Sequence, residues 1–151
     1  MSRVVCVGAV VLQEDGRVLW IRQARGHSLE GQWSIPWGVV EAGESPAVAA
    51  ARESREEAGV EVAVEALLGV QDLPGSDGLA LVFLARHVSG APTPDERETD
   101  RAAYMSEAEM DELTEPFEPW CAWLVRRVLR GEHRAIPEQH ESPFAPNKAY
   151  L

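Results

Sequence analysis

Residues 45 to 59, SPAVAAARESREEAG, constrain the fold more than any other stretch of this chain. Ser45 followed by Pro46 predicts a helix start, the serine as N-cap and the proline at the first helical position. Gly59 suits the left-handed residue that ends a helix. Between these limits, about 100° per residue sets Glu56 and Glu57 at about −60° and +40° from Glu53, so three carboxylates share one face. Ala47, Ala50, Ala51, Ser54 and Ala58 gather on the opposite side, small enough to let the helix sit close against a sheet.

Sheet-forming sequence lies on both sides of this helix. Val4 to Leu12 is β-branched and apolar, Glu14-Asp15-Gly16 is a turn signal, and Arg17 to Gln23 alternates Val18, Trp20 and Arg22, which predicts a hairpin. Residues 25 to 32 form a polar, glycine-punctuated loop. Strands are expected over Val60 to Val70, over Leu79 to Val88 with both faces buried, and over Ala102 to Met105. Residues 89 to 100, rich in proline and acid, predict a mobile loop. Ser106 and Glu109 form a capping box for a short helix. Phe117, Trp120, Cys121, Leu124, Val128 and Leu129 recur at helical spacing up to Gly131. Strands interleaved with fewer helices predict an α/β sandwich around a mixed sheet. The 151 residues suit a single domain over 1–131 and a C-terminal extension over 132–151, either disordered or packed on the domain.

Charge and composition exclude several function classes. A net charge of −11 repels long RNA or DNA, which require a basic patch or stripe. A small phosphorylated ligand remains compatible, because metal ions neutralise both it and the surrounding acids. No apolar run approaches the roughly 20 residues of a membrane helix, and the first residues lack a signal-peptide pattern, so a cytoplasmic protein with no membrane partner is expected. Cys6 and Cys121 lack metal-ligand spacing and predict buried free thiols, while His87, His133 and His140 are scattered and predict surface positions. Monomer and homodimer are both compatible with the sequence.

The crowding of Glu53, Glu56 and Glu57 needs a cause. Like charges three and four residues apart destabilise a helix by a few tenths of a kcal/mol each, and no lysine is interleaved to offset them. A bound divalent cation reverses the sign of that effect. Clustered carboxylates are hard oxygen ligands suited to Mg²⁺ or Mn²⁺, and Glu41 and Glu44 in the entering loop are close enough to serve the same site.

The segment from Gly38 to Val60 resembles the box of the Nudix hydrolases, MutT-like enzymes, written G-x5-E-x7-R-E-U-x-E-E-x-G-U with U a bulky aliphatic. Gly38, Glu44, Arg52, Glu53, Glu56, Glu57 and Gly59 occupy all seven fixed positions, and Val60 fits the last aliphatic. With residue frequencies of roughly a tenth or less, such a match arises by chance on the order of 10⁻⁷ per start position. Two departures stand out. Ser54 replaces an aliphatic, and Trp37, in GQWSIPWG, stands where the first of two glycines is usual. A tryptophan does not readily take the positive φ open to glycine, and its ring beside the site can narrow the pocket or stack within it.

The resemblance implies a Nudix-type αβα sandwich and a Mg²⁺- or Mn²⁺-dependent hydrolase that cleaves a nucleoside diphosphate linked to a further group X, such as a nucleoside triphosphate, an oxidised nucleotide or a nucleotide sugar. It also implies roles. Glu56 and Glu57 are metal ligands, Glu53 is a third ligand or water-orienting base, the Gly38 carbonyl is a further ligand, and Arg52 orients the glutamates. Glu98 fits the additional acid that many relatives bring from a later loop, with Glu96 as runner-up. Arg22, Arg25, His27 and Trp37 are candidates for the other end of the substrate. Two alternatives share the box: an isopentenyl-diphosphate isomerase, which needs a cysteine and has none near the box in sequence, and a non-catalytic nucleotide sensor.

Overall fold

The computed structural model describes residues 3–151. Strand β1 (Val5–Leu12) sends Val7, Ala9 and Val11 into one core and Val10 into another, which is the mark of a strand covered on both faces. Strand β2 (Val18–Gln23) does the same, with Leu19 and Ile21 on the first face and Val18 and Trp20 on the second. Further along come β3 (Trp33–Ser34), β4 (Trp37–Val39), α1 (Pro46–Ala58), β5 (Glu61–Asp72), β6 (Leu79–Ser89) and β7 (Thr99–Met105). Helices α2 (Glu107–Glu112) and α3 (Pro119–Leu129) follow, and then β8 (Ile136–Gln139) and β9 (Ala149–Tyr150).

The sheet runs β3-β2-β1-β6-β5-β8-β9, with β4 and β7 paired to β1 and β2 off that path. Only β1 and β6 among the named pairs run parallel, and the long hairpin of β5 with β6 is antiparallel, so the sheet is mixed as expected. Ala47, Ala49, Ala50 and Ala58 of α1 pack on one face, while Met110 of α2 and Cys121, Val125 and Val128 of α3 pack on the other. This is an αβα sandwich.

β1 is the organising strand. One edge pairs with β6 over its whole length, and the other is shared: Cys6, Val7 and Gly8 face Val39, Gly38 and Trp37, while Leu12 faces Val18. That split holds β4 beside α1, and the functional residues meet there.

Both sequence-read helix starts are present. The Ser45 Oγ accepts from the Val48 amide at 3.3 Å, and Gly59 ends α1 at φ 68°. Ser106 and Glu109 make the reciprocal capping box of α2. Ser54 is fully buried and donates to the Ala50 carbonyl at 2.9 Å, which satisfies the hydroxyl that replaces the expected aliphatic.

The segment from 132 to 151 lies against the sheet. Ile136 and Pro137 pair with the outer edge of β5, Lys148 reaches Glu138 at 2.8 Å, and the Tyr150 ring lies 5.5 Å from that of Phe83. Pairing through β8 covers part of an edge that would otherwise expose unpaired backbone groups. Tyr150→Ala is expected to lower unfolding free energy in urea by roughly 1–2 kcal/mol, less than the ~3–5 kcal/mol of a fully buried aromatic, because the ring is only half-buried. Unchanged stability contradicts this docking.

Candidate active site

The acidic face of α1 is not a solvated surface. Glu53 and Glu57 are 8% and 4% exposed, and only Glu56 is turned to solvent. The cause is β4, which lies across this side of the helix. Gly38 of β4 approaches so closely that a Cβ there would stand 2.1 Å from the Glu53 Oε1 and would displace that carboxylate. The Trp37 amide of the same strand donates to the Glu57 Oε2 at 3.0 Å. Trp37 itself needs no positive φ, since it pairs in extended form with Gly8, and its departure from glycine leaves the backbone unstrained.

Arg52 ties the acids together. Its Nε and Nη2 donate to both oxygens of Glu44 at 2.7 and 3.0 Å, its Nη1 to Glu53 at 2.8 Å and Glu56 at 3.0 Å, and its Nη2 to the Val39 carbonyl at 3.1 Å. A planar guanidinium can serve this many acceptors at once, and an ammonium cannot. Glu44 therefore takes the bidentate place, and the helical Arg52–Glu56 pair is one of several contacts. The guanidinium holds the Glu44 carboxyl below the ordinary range.

Three carboxylates, Glu44, Glu53 and Glu56, share this one guanidinium, so the cluster keeps surplus negative charge. Burial, opposed by Arg52, pushes Glu53 up, and burial together with the Glu53 charge pushes Glu57 well above the ordinary glutamate range. Among the described residues Glu57 receives only the Trp37 amide as a charge-stabilising partner.

The loop from 90 to 98 is pinned rather than mobile, which corrects the sequence expectation. The Asp95 Oδ1 accepts from the amides of Arg97, Glu98 and Thr99, and the Thr99 hydroxyl donates to the Glu57 carbonyl at 2.7 Å. The Thr93 amide reaches the Ala58 carbonyl, and the Ala24 amide reaches that of Glu98. Glu98 is thereby held near the box, where its charge raises the proton affinity of both Glu53 and Glu57. Glu96 is a positive-φ residue at 63°. Asp95 and Thr99 were not singled out in the sequence. An aspartate four residues before a threonine in a Pro-rich loop is a local turn signal that could have found them.

A NUDIX domain family model matches residues 2–127. The chain belongs to the Nudix family. It is 38% identical over 111 residues to a MutT-like protein of Streptomyces ambofaciens, covering 74% of this chain and 67% of that protein. Over 129 residues it is 33% identical to an ADP-ribose pyrophosphatase of Mycobacterium tuberculosis, covering 83% of this chain and 57% of the relative. A solved NUDIX hydrolase from Nitrosomonas europaea superposes with TM-score 0.75 at 25% identity, over 86% of this chain and 72% of that one. The chain spans between about a quarter and two thirds of the length of the curated relatives it matches. Relatives in this family include proteins named as pyrophosphatases.

Among the described residues, no three acidic, imidazole or thiol groups already converge as an ion cage. The acids are spread over Arg52, the Trp37 amide and solvent. The donor set nonetheless fits a hard divalent cation: the carboxylates are oxygen ligands, and two of them are buried with surplus charge.

Other sequence candidates fare differently. Arg22 is not free for substrate: it donates to both oxygens of Asp100 at 2.8 and 3.0 Å and also pairs with Glu115. Its place in the alternation puts it on the Trp20 face of β2, away from α1. Arg25 and His27 are exposed on their loop and make no side-chain ion pair or hydrogen bond among the described residues. Trp37 helps to line an apolar cleft of about 330 Å³ with Ile35, Val82 and Trp120. His87 is not a simple surface residue, since its Nδ1 lies 2.5 Å from the hydroxyl of the buried Tyr104. Cys6 and Cys121 are buried free thiols as expected, but pairing of β1 with β4 brings Cys6 near enough to Glu53 for that charge, after burial, to push its thiol up. A cysteine therefore stands near the box in space, contrary to its place in the sequence.

Because Glu53 and Glu57 hold protons above the ordinary value of 4.5, their stabilising contribution is full below that pH and is lost as pH rises through their folded-state values. In chelator, Glu57→Gln is therefore expected to melt a few degrees above the wild type at pH 8, at roughly 2–4 °C per kcal/mol, with the gap closing toward pH 4.5. A lower melting temperature at every pH refutes the surplus charge. Arg22→Ala is expected to cost roughly 1–3 kcal/mol of stability in urea denaturation and to leave KM within about twofold.

Proposed function

We propose that this chain hydrolyses a phosphoanhydride bond in a nucleoside diphosphate linked to a further group X, with Mg²⁺ or Mn²⁺. The observation that carries the reading is the pair of buried carboxylates, Glu53 and Glu57, held by β4 with less positive charge around them than their own negative charge. Burying such groups is unfavourable by itself, and a divalent cation accounts for it. A diphosphate and a hydroxide repel each other, so when bound the cation supplies charge screening, a lowered water pKa and stabilisation of the leaving oxygen.

In this reading Glu56 and Glu57 hold the cation with Glu53 and the Gly38 carbonyl, Arg52 keeps Glu53 and Glu56 oriented through the hydrogen bonds above, and the Trp37 amide holds Glu57. Glu98, solvent-exposed and electrostatically linked to both buried acids, accepts the proton of the attacking water. The water oxygen bonds to phosphorus as the bridging P–O bond breaks, and the leaving phosphate takes the electron pair. A cytoplasmic setting agrees with two free, buried thiols.

The nearness of Cys6 to Glu53 gives the isomerase alternative a specific footing, because that chemistry needs a cysteine and a glutamate. The relatives named pyrophosphatases weigh toward hydrolysis. Incubation with dimethylallyl diphosphate separates the two: isomer formation without phosphate release reverses the assignment.

A panel of nucleoside triphosphates, nucleotide sugars, dinucleoside polyphosphates and ADP-ribose, assayed with Mg²⁺ and Mn²⁺, is expected to show divalent-dependent release of phosphate or nucleoside monophosphate. On the best substrate Glu57→Gln is expected to lose at least ~100-fold in kcat, Arg52→Gln roughly 10–100-fold, and Glu98→Gln roughly 100-fold with KM little changed. Full turnover in Glu57→Gln removes the cation assignment.

A further inference from the structure

The last carbonyls of a helix have no partners within it, and those of α1 are completed by the loop that carries Glu98. The Thr99 hydroxyl donates to the Glu57 carbonyl at 2.7 Å, and the Thr93 amide donates to the Ala58 carbonyl at 2.7 Å. Gly90 lets the loop enter this close: its φ is 91°, and a Cβ there would stand 2.7 Å from the Gly59 carbonyl. The loop therefore grips the backbone of the buried acid itself. Thr99 is fully buried, so loss of its hydroxyl would leave the Glu57 carbonyl without a replacement partner.

Within the loop a single oxygen organises the approach to Glu98. The Asp95 Oδ1 accepts from the amides of Arg97, Glu98 and Thr99 at 2.8, 2.9 and 3.0 Å. The Thr99 hydroxyl has one proton to give, and with the Glu57 carbonyl at 2.7 Å and the Asp95 Oδ1 at 3.3 Å the shorter bond takes it. Its oxygen accepts in turn from the Asp95 amide at 3.1 Å. Asp95 and Thr99 thus hold each other while Thr99 holds the helix. On its other side the Glu98 carbonyl accepts from the Ala24 amide at 2.8 Å, just past the end of β2. With the amide and the carbonyl of Glu98 both engaged, side-chain rotation is what remains to place its exposed carboxylate. That carboxylate is close enough for its charge to be felt at Glu53 and Glu57.

We infer that Asp95 and Thr99 are positioning residues for Glu98, and that they finish this loop as part of the site before any ligand arrives. The inference rests on the hydrolase reading, in which Glu98 takes the proton of the attacking water, and it adds the residues through which that carboxylate is placed. A reacting group displaced by about 1 Å can lose about 10²-fold in rate, so an anchor this near to Glu98 in the chain has a direct effect. Placement of a proton acceptor matters in the chemical step and leaves ground-state binding alone, so the loss appears in kcat and not in KM.

The test is a double-mutant cycle on the best substrate, with Mg²⁺ present. Asp95→Ala is expected to lower kcat roughly 10–100-fold with KM within about threefold, and Asp95→Asn, whose amide oxygen can accept the same N–H groups, to recover most of that loss. Thr99→Val, which keeps the shape and loses the hydroxyl, is expected to fall in the same range of roughly 10–100-fold, and Thr99→Ser to restore turnover. Added to Glu98→Gln, Asp95→Ala is expected to cost less than about threefold more, because residues acting through one group are not additive. Thr99→Val carries the same cycle if Asp95→Ala does not fold. In the whole chain, hydrogen exchange of the Glu98 and Thr99 amides is expected to quicken at least ~10-fold in Asp95→Ala, and in the wild type to slow less than about threefold when Mg²⁺ and α,β-methylene adenosine diphosphate are added. Losses that multiply in the double variant overturn the positioning role, as does full turnover in both Asp95→Ala and Thr99→Val, and protection that arises only with the nucleotide overturns the finished loop. These results leave the hydrolase reading intact. Full turnover in Glu98→Gln also overturns the inference while hydrolysis stands, whereas no divalent-dependent turnover by the wild type on any substrate of the panel overturns both.

Discussion

The burial of Glu57 is the constraint on which the rest of this site depends. A carboxylate 4% exposed, given one amide as partner, is unstable in isolation, and the surrounding structure consists largely of what holds it there. β4 supplies the amide, and Gly38 removes the Cβ that would push Glu53 away. Thr99 binds the carbonyl of Glu57 itself, and so fastens the loop carrying Glu98 to the end of the same helix. Each of these contacts comes from a different part of the chain. Their meeting point is set by β1, whose shared edge brings β4 over α1.

Arg52 has a related part. One guanidinium engages Glu44, Glu53 and Glu56 together with a backbone carbonyl, so its removal would release several acids at once. Such a network is cooperative in the sense that no single pair accounts for it. It balances part of the negative charge and leaves the remainder in place. In the proposed reading that remainder holds a divalent cation, and the excess of acid is then the functional quantity.

In the proposed reading a bound cation also offsets part of the chain's net charge of −11 where the phosphates of a substrate would sit.

Much was legible in the sequence because it depends on local chemistry. The limits of α1 follow from Ser45, Pro46 and Gly59, the two-faced strands from apolar alternation and the family from the seven fixed positions of the box, all over short spans of chain. The sequence by itself determined which residues are acidic, how they share one side of a helix and which fold such a helix packs into. Only tertiary structure decided that Glu53 and Glu57 are buried while Glu56 is not, that Arg22 is consumed by Asp100 and Glu115, and that Cys6 lies near Glu53. It also decided that a proline-rich loop is pinned through Asp95 and Thr99, and that Tyr150 packs against Phe83. The reason is the range of the interactions: helix limits and alternation are set by neighbours a few residues apart, whereas burial and ion pairing depend on which distant segments the sheet brings to the same place.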